Sequence, residues 1–369
     1  MIVWMLVCTY SFFAFLSANR VFIISAILLL VVIAGFRFEV GTDYLSYASM
    51  FDSILDGTAH NVWLNKEAGF IWSINVIGNA GFGFQLLCFF YSALTIYLLY
   101  LSARFFSFDS RVMLGMILLV FIPFFYFYSL NSIRQSLSVA LFLFSIRYLY
   151  HKNFLKYAAV LFIAGLFHKS AYLMFPMYWL FRVPTSRSIL LLMVFSVVLL
   201  SLPEIRGLIF KIIGMLSGSY SVYFQYESLM NKTSFFGRLN TYIICVFFIL
   251  LCLSFIMKQS LRKKSLLKSI LFSSFFAFVI VRLIALDLSV INRIAIYYKP
   301  LMAIGLVYAC FYLFERLRFN RFQSRVIFSF LVLAYTFIGI YFRAMKDESY
   351  MLYQANYCLL SDSPCLLNF

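Results

Sequence analysis

The sequence predicts an all-α fold, a polytopic membrane helix bundle of about 10–12 transmembrane segments with short interfacial helices on the non-cytoplasmic side. Three observations predict it. The chain is 64% hydrophobic and 12% charged, where a globular chain carries about 25% charged residues. Apolar runs near the length of a membrane span recur from end to end. The basic residues fall in short clusters between those runs, which is the signature of the positive-inside bias.

The runs lie near 2–17, 21–36, 82–102, 112–128, 133–150, 155–168, 171–181, 188–202, 240–257, 268–286, 292–314 and 326–343. A helix needs about 20 apolar residues to cross hydrocarbon, and about 17 at the short end. The first two runs therefore suit a thinned bilayer. No basic n-region or small-residue cleavage site marks the start, so the first run is expected to be a retained helix. Residues 43–56 follow the second run with Tyr44, Tyr47, Phe51 and Leu55 on one helical face and Ser49, Asp52, Ser53 and Asp56 on another. That pattern predicts a helix lying in the interface plane.

Runs 155–168 and 171–181 are too short for two ordinary spans, so they form either one long span or an out-and-back excursion meeting at His168. Charge decides between them. With two passes, every strong basic cluster falls on one side, from Arg20 through Arg104 and Arg111 to Arg316–Arg325. That side holds 17 of the 30 basic residues, with Asp109 and Glu315 as its acids. A single span would put the 258–268 cluster outside. The excursion is the better reading, with both termini on the non-cytoplasmic side. No repeat or linker interrupts the pattern, which predicts one domain over 1–369 with outer segments at about 37–81, 203–239 and 344–369.

The formal charge of +17 does not indicate nucleic acid, because its clusters sit at span ends and face anionic membrane lipids. Cys8, Cys88, Cys245, Cys252 and Cys310 lie in apolar runs as packing residues. Cys358 and Cys365 fall in the tail, where an oxidising compartment would let them close a small loop as a disulfide. His60, His151 and His168 stand too far apart for a metal site. No phosphate-cradling glycine loop, zinc-protease helix or nucleophile elbow is present.

Polar residues at span ends carry the functional information, because ionisable groups are costly in a bilayer. Arg37, Glu39 and Asp43 close the second run, and two readings stand side by side. Thr42 or Asp43 would cap the following helix while Arg37 snorkels to headgroups, or the group contacts a substrate. Asn131, Arg134 and Gln135 gather within one helical turn at the outer end of run 133–150. They supply a fork of donors suited to phosphate or sugar oxygens. His168, followed by Lys169 and Ser170, sits at the tip of the excursion and is the natural base near neutral pH. Arg282 and Asp287 could neutralise one another, whereas Arg293 has no such obvious partner and is the better ligand candidate. Glu67 opens a second amphipathic stretch, where an acid suits the helix dipole and needs no further role.

Taken in order, GFRFEVGTDYLSY, EAGF, NSIRQ and FHKSA resemble the EpsG-like branch of the Wzy group of bacterial polysaccharide polymerases. The resemblance covers roughly residues 30–175 by motif. It implies an inner-membrane glycosyltransferase, working at the periplasmic face in O-antigen or capsule synthesis. Such an enzyme moves a glycan from undecaprenyl diphosphate onto the non-reducing end of a lipid-linked repeat unit, without metal or other cofactor. A chain-length regulator and a flippase of the same pathway are the implied partners. On that footing Arg134 and Arg293 would neutralise the departing diphosphate, with Arg282 and Arg37 behind them. His168 would be the base, with Asp43 or Glu67 as the alternative. Tyr44, Asn131 and Gln135 would contact substrate. Rival readings are an O-antigen ligase, a lipid-linked oligosaccharide flippase or other transporter, and a non-catalytic assembly partner.

Overall fold

The structure is a computed structural model that describes residues 2–58, 67–208, 235–257, 266–287, 291–346, 354–356 and 366–368. His60, Cys358, Cys365 and most of 203–239 lie outside the described residues.

The chain is an all-α polytopic membrane bundle, and its described residues divide into two compact units. Unit 1 comprises Met1–Phe175 and Leu306–Phe369, and unit 2 comprises Pro176–Gly305. Unit 1 opens with α1 (Ile2–Ser17) and α2 (Arg20–Gly35), separated by a turn in which the Asn19 side chain caps α2. Then follow α3 (Tyr44–Leu55), α4 (Ala68–Asn79), α5 (Phe84–Phe106), α6 (Arg111–Asn131), α7 (Ile133–Tyr150) and α8 (Phe154–Phe167). Unit 2 holds α9 (Arg187–Ser201), α10 (Phe235–Met257), α11 (Leu266–Ile284) and the first part of α12 (Asn292–Arg316). The end of α12 and all of α13 (Arg321–Lys346) return to unit 1.

Among the described residues, α5, α6, α11, α12 and α13 are long and apolar enough to cross a membrane, and α1, α2, α8, α9 and much of α10 are shorter apolar helices. α7 has span length but a diluted hydropathy, because Arg134, Gln135, Ser136, Ser138 and Ser145 interrupt it. The reason is packing. α7 touches α5 on one side and α8 on the other, and Ser136, Ser138 and Ser145 are fully buried. A helix surrounded by protein can carry hydroxyls that a lipid-facing one would have to leave unsatisfied. Ser138 donates to the Ala164 carbonyl at 2.9 Å, and Ser145 to its own Phe142 carbonyl. Close helix approach is bought elsewhere by glycine: a Cβ on Gly115 of α6 would stand 2.2 Å from the Phe15 carbonyl oxygen of α1.

Within unit 1 the basic ends of the helices meet. Arg20, Arg104 and Arg111 line one cavity, and the Arg325 guanidinium donates to the Leu16 carbonyl. The opposite ends meet as well. Trp4 packs edge-on against Phe127, and the Gln85 side chain donates to the Gly35 and Arg37 carbonyls. A small three-stranded antiparallel sheet tops this second end, an addition to the expected all-helical fold. Its strands are β1 (Arg37–Phe38), β2 (Gln354–Asn356) and β3 (Leu366–Asn368), with Arg37 opposite Ala355 and Asn356 opposite Leu366.

The interfacial helix at 43–56 forms as α3, but its apolar face is not spent on lipid. Tyr44 meets Phe84 of α5 edge-on at 5.2 Å, and Tyr47 meets Phe70 of α4 at 5.9 Å. The chain does reverse at His168, where the backbone is extended at φ −157. A 3₁₀ segment, Lys169–Met174, then folds back onto α8. The Tyr157 hydroxyl donates to the Met174 carbonyl at 2.7 Å, and Tyr172 fills the space that a side chain at Gly165 would need.

Candidate functional site

The site is assembled at the sheet-bearing end of unit 1, beginning with the turn that closes α2. Arg37 is buried to 1% exposure, and its guanidinium donates to the Ala34 carbonyl and reaches Ser92 Oγ at 3.5 Å. The arrangement folds Arg37 back onto its own helix end rather than outward to headgroups. Gln85, which no local pattern singles out, organises this turn. It donates to two of the turn's carbonyls and accepts from the Tyr44 hydroxyl at 3.2 Å. Tyr44 is thereby buried as a strut.

Asn131 fastens the next part of the turn. Its Oδ1 accepts from the Asp43 backbone N–H and the Thr42 hydroxyl, each at 3.0 Å. Gly41 is required here twice over: φ is +100, and a Cβ would stand 3.0 Å from that same Asn131 oxygen. Asp43 precedes α3 without capping it through its side chain. Four positions on, Gln135 accepts from Tyr128 at 2.7 Å. The tyrosine comes from the part of α6 that follows a π-helical segment, Ile122–Tyr126, at Pro123. Proline has no N–H to continue the α ladder, which is why the helix changes register there.

Beside this turn three ionisable groups converge. Glu67 immediately precedes α4, Arg134 lies in the first turn of α7, and His168 follows α8. Arg134 Nη1 donates to Glu67 Oε2 at 2.5 Å. His168 Nδ1 stands 3.2 Å from Glu67 Oε1, within ion-pair reach but without hydrogen-bond geometry. The Lys169 backbone N–H donates to the same oxygen at 3.3 Å. The guanidinium of Arg134 lies over the Phe70 ring at 4.9 Å and the Tyr47 ring at 5.5 Å.

The dipole role expected of Glu67 is therefore the smaller part of what it does. Its side chain makes no cap hydrogen bond and instead joins α4, α7 and the reversal after α8. Burial opposes its ionisation, but His168, Arg134 and the Lys169 N–H outweigh that and hold its carboxyl down at about 2. A carboxylate so strongly held is a weak proton acceptor near neutral pH. Burial also pushes the Tyr47 phenol up from its ordinary value, so that hydroxyl keeps its proton.

One glycine sets the geometry. A Cβ on Gly69 would stand 2.8 Å from the Leu166 carbonyl oxygen, so α4 reaches the end of α8 only because position 69 has no side chain. Gly69→Val is expected to destabilise the protein by about 1–3 kcal/mol, as overpacking against backbone does. A lower melting temperature in detergent, together with lost activity, checks this.

Unit 2 has its own polar pairs. Arg282 donates to Asn292 Oδ1 at 2.7 Å and to Thr241 Oγ1 at 2.9 Å. The pairing of Arg282 with Asp287 is replaced: Asp287 Oδ2 accepts from Arg206 Nε at 2.5 Å. Arg206 is buried and also donates to the Leu200 and Ser201 carbonyls. Arg206, just after α9, takes the acid that nearness in the chain had offered to Arg282. Arg293 lies in the first turn of α12.

Of the residues singled out in the sequence, then, unit 1 brings Glu67, Arg134 and His168 into contact. Asn131 and Asp43 form an adjoining link, and Arg37 and Tyr44 are buried beneath it. Gln85, Tyr47 and Phe70 complete the site without having been expected. The one signal that could have found Tyr47 is its place on the apolar face of α3. The model of the EpsG family matches residues 20–355 of the chain. No curated protein and no solved structure matches it.

Proposed function

The chain belongs to the EpsG family, and from that premise and the Glu67–Arg134–His168 cluster we infer a polysaccharide polymerase. Family membership and the apolar helices support the coarser statement, a multi-pass membrane protein of polysaccharide biosynthesis. The finer reading is a glycosyltransferase that draws a glycan from undecaprenyl diphosphate, or a chemically equivalent polyprenyl diphosphate. It attaches that glycan to the non-reducing end of a lipid-linked repeat unit, with the site at the periplasmic face of the inner membrane.

The observation that carries this reading is a base candidate and a directional cation held by one carboxylate. In the proposed step the acceptor hydroxyl attacks the anomeric carbon of the donor. A new C–O bond forms, the anomeric C–O bond to the diphosphate breaks, and the hydroxyl proton passes to His168. With Nδ1 turned toward Glu67, Nε2 is the nitrogen left to take it. The departing diphosphate gathers negative charge, and fixed donors aimed at that charge are the largest available stabilisation. Arg134 fits this role as a directional donor, because Glu67 already compensates its charge through Nη1. Its Nε is buried without a hydrogen-bond partner among the described residues. Arg293 remains the proposed cation of unit 2, with Arg282 committed to Asn292 and Thr241.

The test is polymerisation of a purified lipid-linked repeat unit by the full-length protein, read as a product ladder. Deleting the protein in cells is expected to leave single repeat units on the final acceptor. Polymer stalled on the carrier would instead indicate a ligase, and single units trapped inside a flippase. Arg134→Lys is the sharper comparison. Lysine keeps the charge but cannot serve two acceptors in one plane, so polymer length is expected to fall by at least about tenfold. Full-length polymer from that variant would show that a point charge suffices.

A further inference from the structure

The end of unit 1 away from the Glu67 cluster carries a second charged cavity. Its volume is about 200 Å³, and Arg20, Arg104 and Arg111 line it together with the hydroxyl-bearing Ser107 and Ser110. The three arginines come from three different elements: the first residue of α2, the last turn of α5 and the first residue of α6. Asp109 is the one acid in the lining, so the site keeps a net positive charge of two. α2 links the two ends: Arg20 begins it, and its sixteen residues, about 24 Å of helix, end at Gly35 beside Arg37. This cavity and the Glu67–Arg134–His168 cluster therefore lie at opposite ends of unit 1.

A second cavity of about 730 Å³ adjoins the first and shares Ser110 with it. Its lining sets Met113, Phe311, Phe319 and Phe322 beside Arg321, Arg325 and one acid, Glu315. Beside the arginines, Ile24 of the first lining is 40% exposed on the outside of α2. A small pocket of guanidiniums that shares Ser110 with a neighbouring aromatic cavity fits a molecule with an anionic head and an apolar tail.

We propose that the Arg20–Arg104–Arg111 cavity and the groove adjoining it at Ser110 form a seat for one anionic phospholipid, the phosphate among the arginines and an acyl chain along the groove. The charge pattern supports the assignment. Arg147, Lys152, Lys156, Arg316 and Arg318 belong to the same end of unit 1, the end that basic residues mark as facing the anionic leaflet. Arginine matches a phosphate with two donors at once, so three from separate elements would clasp a headgroup and tie α2, α5 and α6 together.

The experiment uses full-length protein, delipidated in a neutral detergent and titrated with phosphatidylglycerol, phosphatidylcholine or inorganic phosphate under native mass spectrometry. One phosphatidylglycerol is expected to be retained at least about tenfold more tightly than phosphatidylcholine, since each nearby arginine favours an anionic lipid. Arg104→Ala/Arg111→Ala is expected to weaken phosphatidylglycerol roughly 30-fold. Lys156→Gln, exposed at the same end but outside the lining, is expected to change it less than about twofold. Melting of each variant without lipid controls for folding, and Arg104→Gln/Arg111→Gln replaces the alanine pair if that pair unfolds. Equal affinity for the two lipids would overturn the proposal. So would an equal loss in Lys156→Gln, which means diffuse charge, or inorganic phosphate binding as tightly as the lipid, which means an ion site alone.

Discussion

Glu67→Gln is expected to abolish long-chain product and to lower the melting temperature at neutral pH, although the substitution changes only an oxygen to an amide nitrogen. The carboxylate holds Arg134 at 2.5 Å and His168 at 3.2 Å, and accepts from the Lys169 N–H. Its side chain is 9% exposed and that of Arg134 13%, so water does little to replace what is lost. Removing one partner of a pair this buried leaves an uncompensated charge and costs roughly 3 kcal/mol. Displacement of both proposed catalytic groups by even about 1 Å adds a rate loss on the order of 10²-fold.

The pH dependence gives this prediction a second edge. Because folding lowers the carboxyl from 4.5 to about 2, its contribution to stability is fully present above about pH 4.5 and is lost as pH falls toward 2. The melting difference between wild type and Glu67→Gln is therefore expected to be largest near neutrality and to close below pH 4.5. Polymer of normal length from the variant, with an unchanged melting curve, would mean that the cluster neither positions nor stabilises.

His168→Ala is expected to reduce polymerisation by about 10²–10⁴-fold, the usual worth of a general base, while the protein still inserts and folds. The fold survives because the His168 side chain anchors no core: it is 19% exposed, and α8 has already ended at Phe167. His168→Gln is the more telling companion. It keeps a polar side chain beside Glu67 but cannot accept a proton near neutral pH, so its rate is expected to stay near that of the alanine variant. Single-turnover assays with a radiolabelled lipid-linked repeat, together with melting in detergent, separate chemistry from folding. Added imidazole restoring part of the alanine variant's rate would tie the loss to proton transfer. Long polymer from His168→Ala would move the base elsewhere, with Asp43 the next candidate, since its backbone N–H is fixed by Asn131 while its carboxylate remains partly exposed.

Much of the architecture was legible in the residues themselves. The run at 133–150 is the helix Ile133–Tyr150, the run at 2–17 is Ile2–Ser17, and the reversal at His168 is where two short runs met. Hydrocarbon length, the 3.6-residue period and turn residues such as Gly41 act locally, so a sequence exposes them directly. The charge parity of the loops likewise carried over to unit 1, where Arg20, Arg104 and Arg111 share a cavity and Gly35, Arg37 and Gln85 share the other end.

Which charge meets which was not legible in the same way. Glu67 was read by the rule for its own helix, while its partners lie 67 and 101–102 positions away on other elements. Asp287 was matched to the nearest arginine, and Arg206, 81 positions distant, took it. Arg37 and Tyr44 looked like surface contacts until Gln85 and Ser92 drew them inward. The sequence by itself therefore determined the helices, their ends and the face on which charge would gather. The tertiary structure alone decided that Glu67 joins Arg134 to His168, because such a contact depends on how three helix ends pack, down to the missing Cβ of Gly69, and no local pattern encodes that distance.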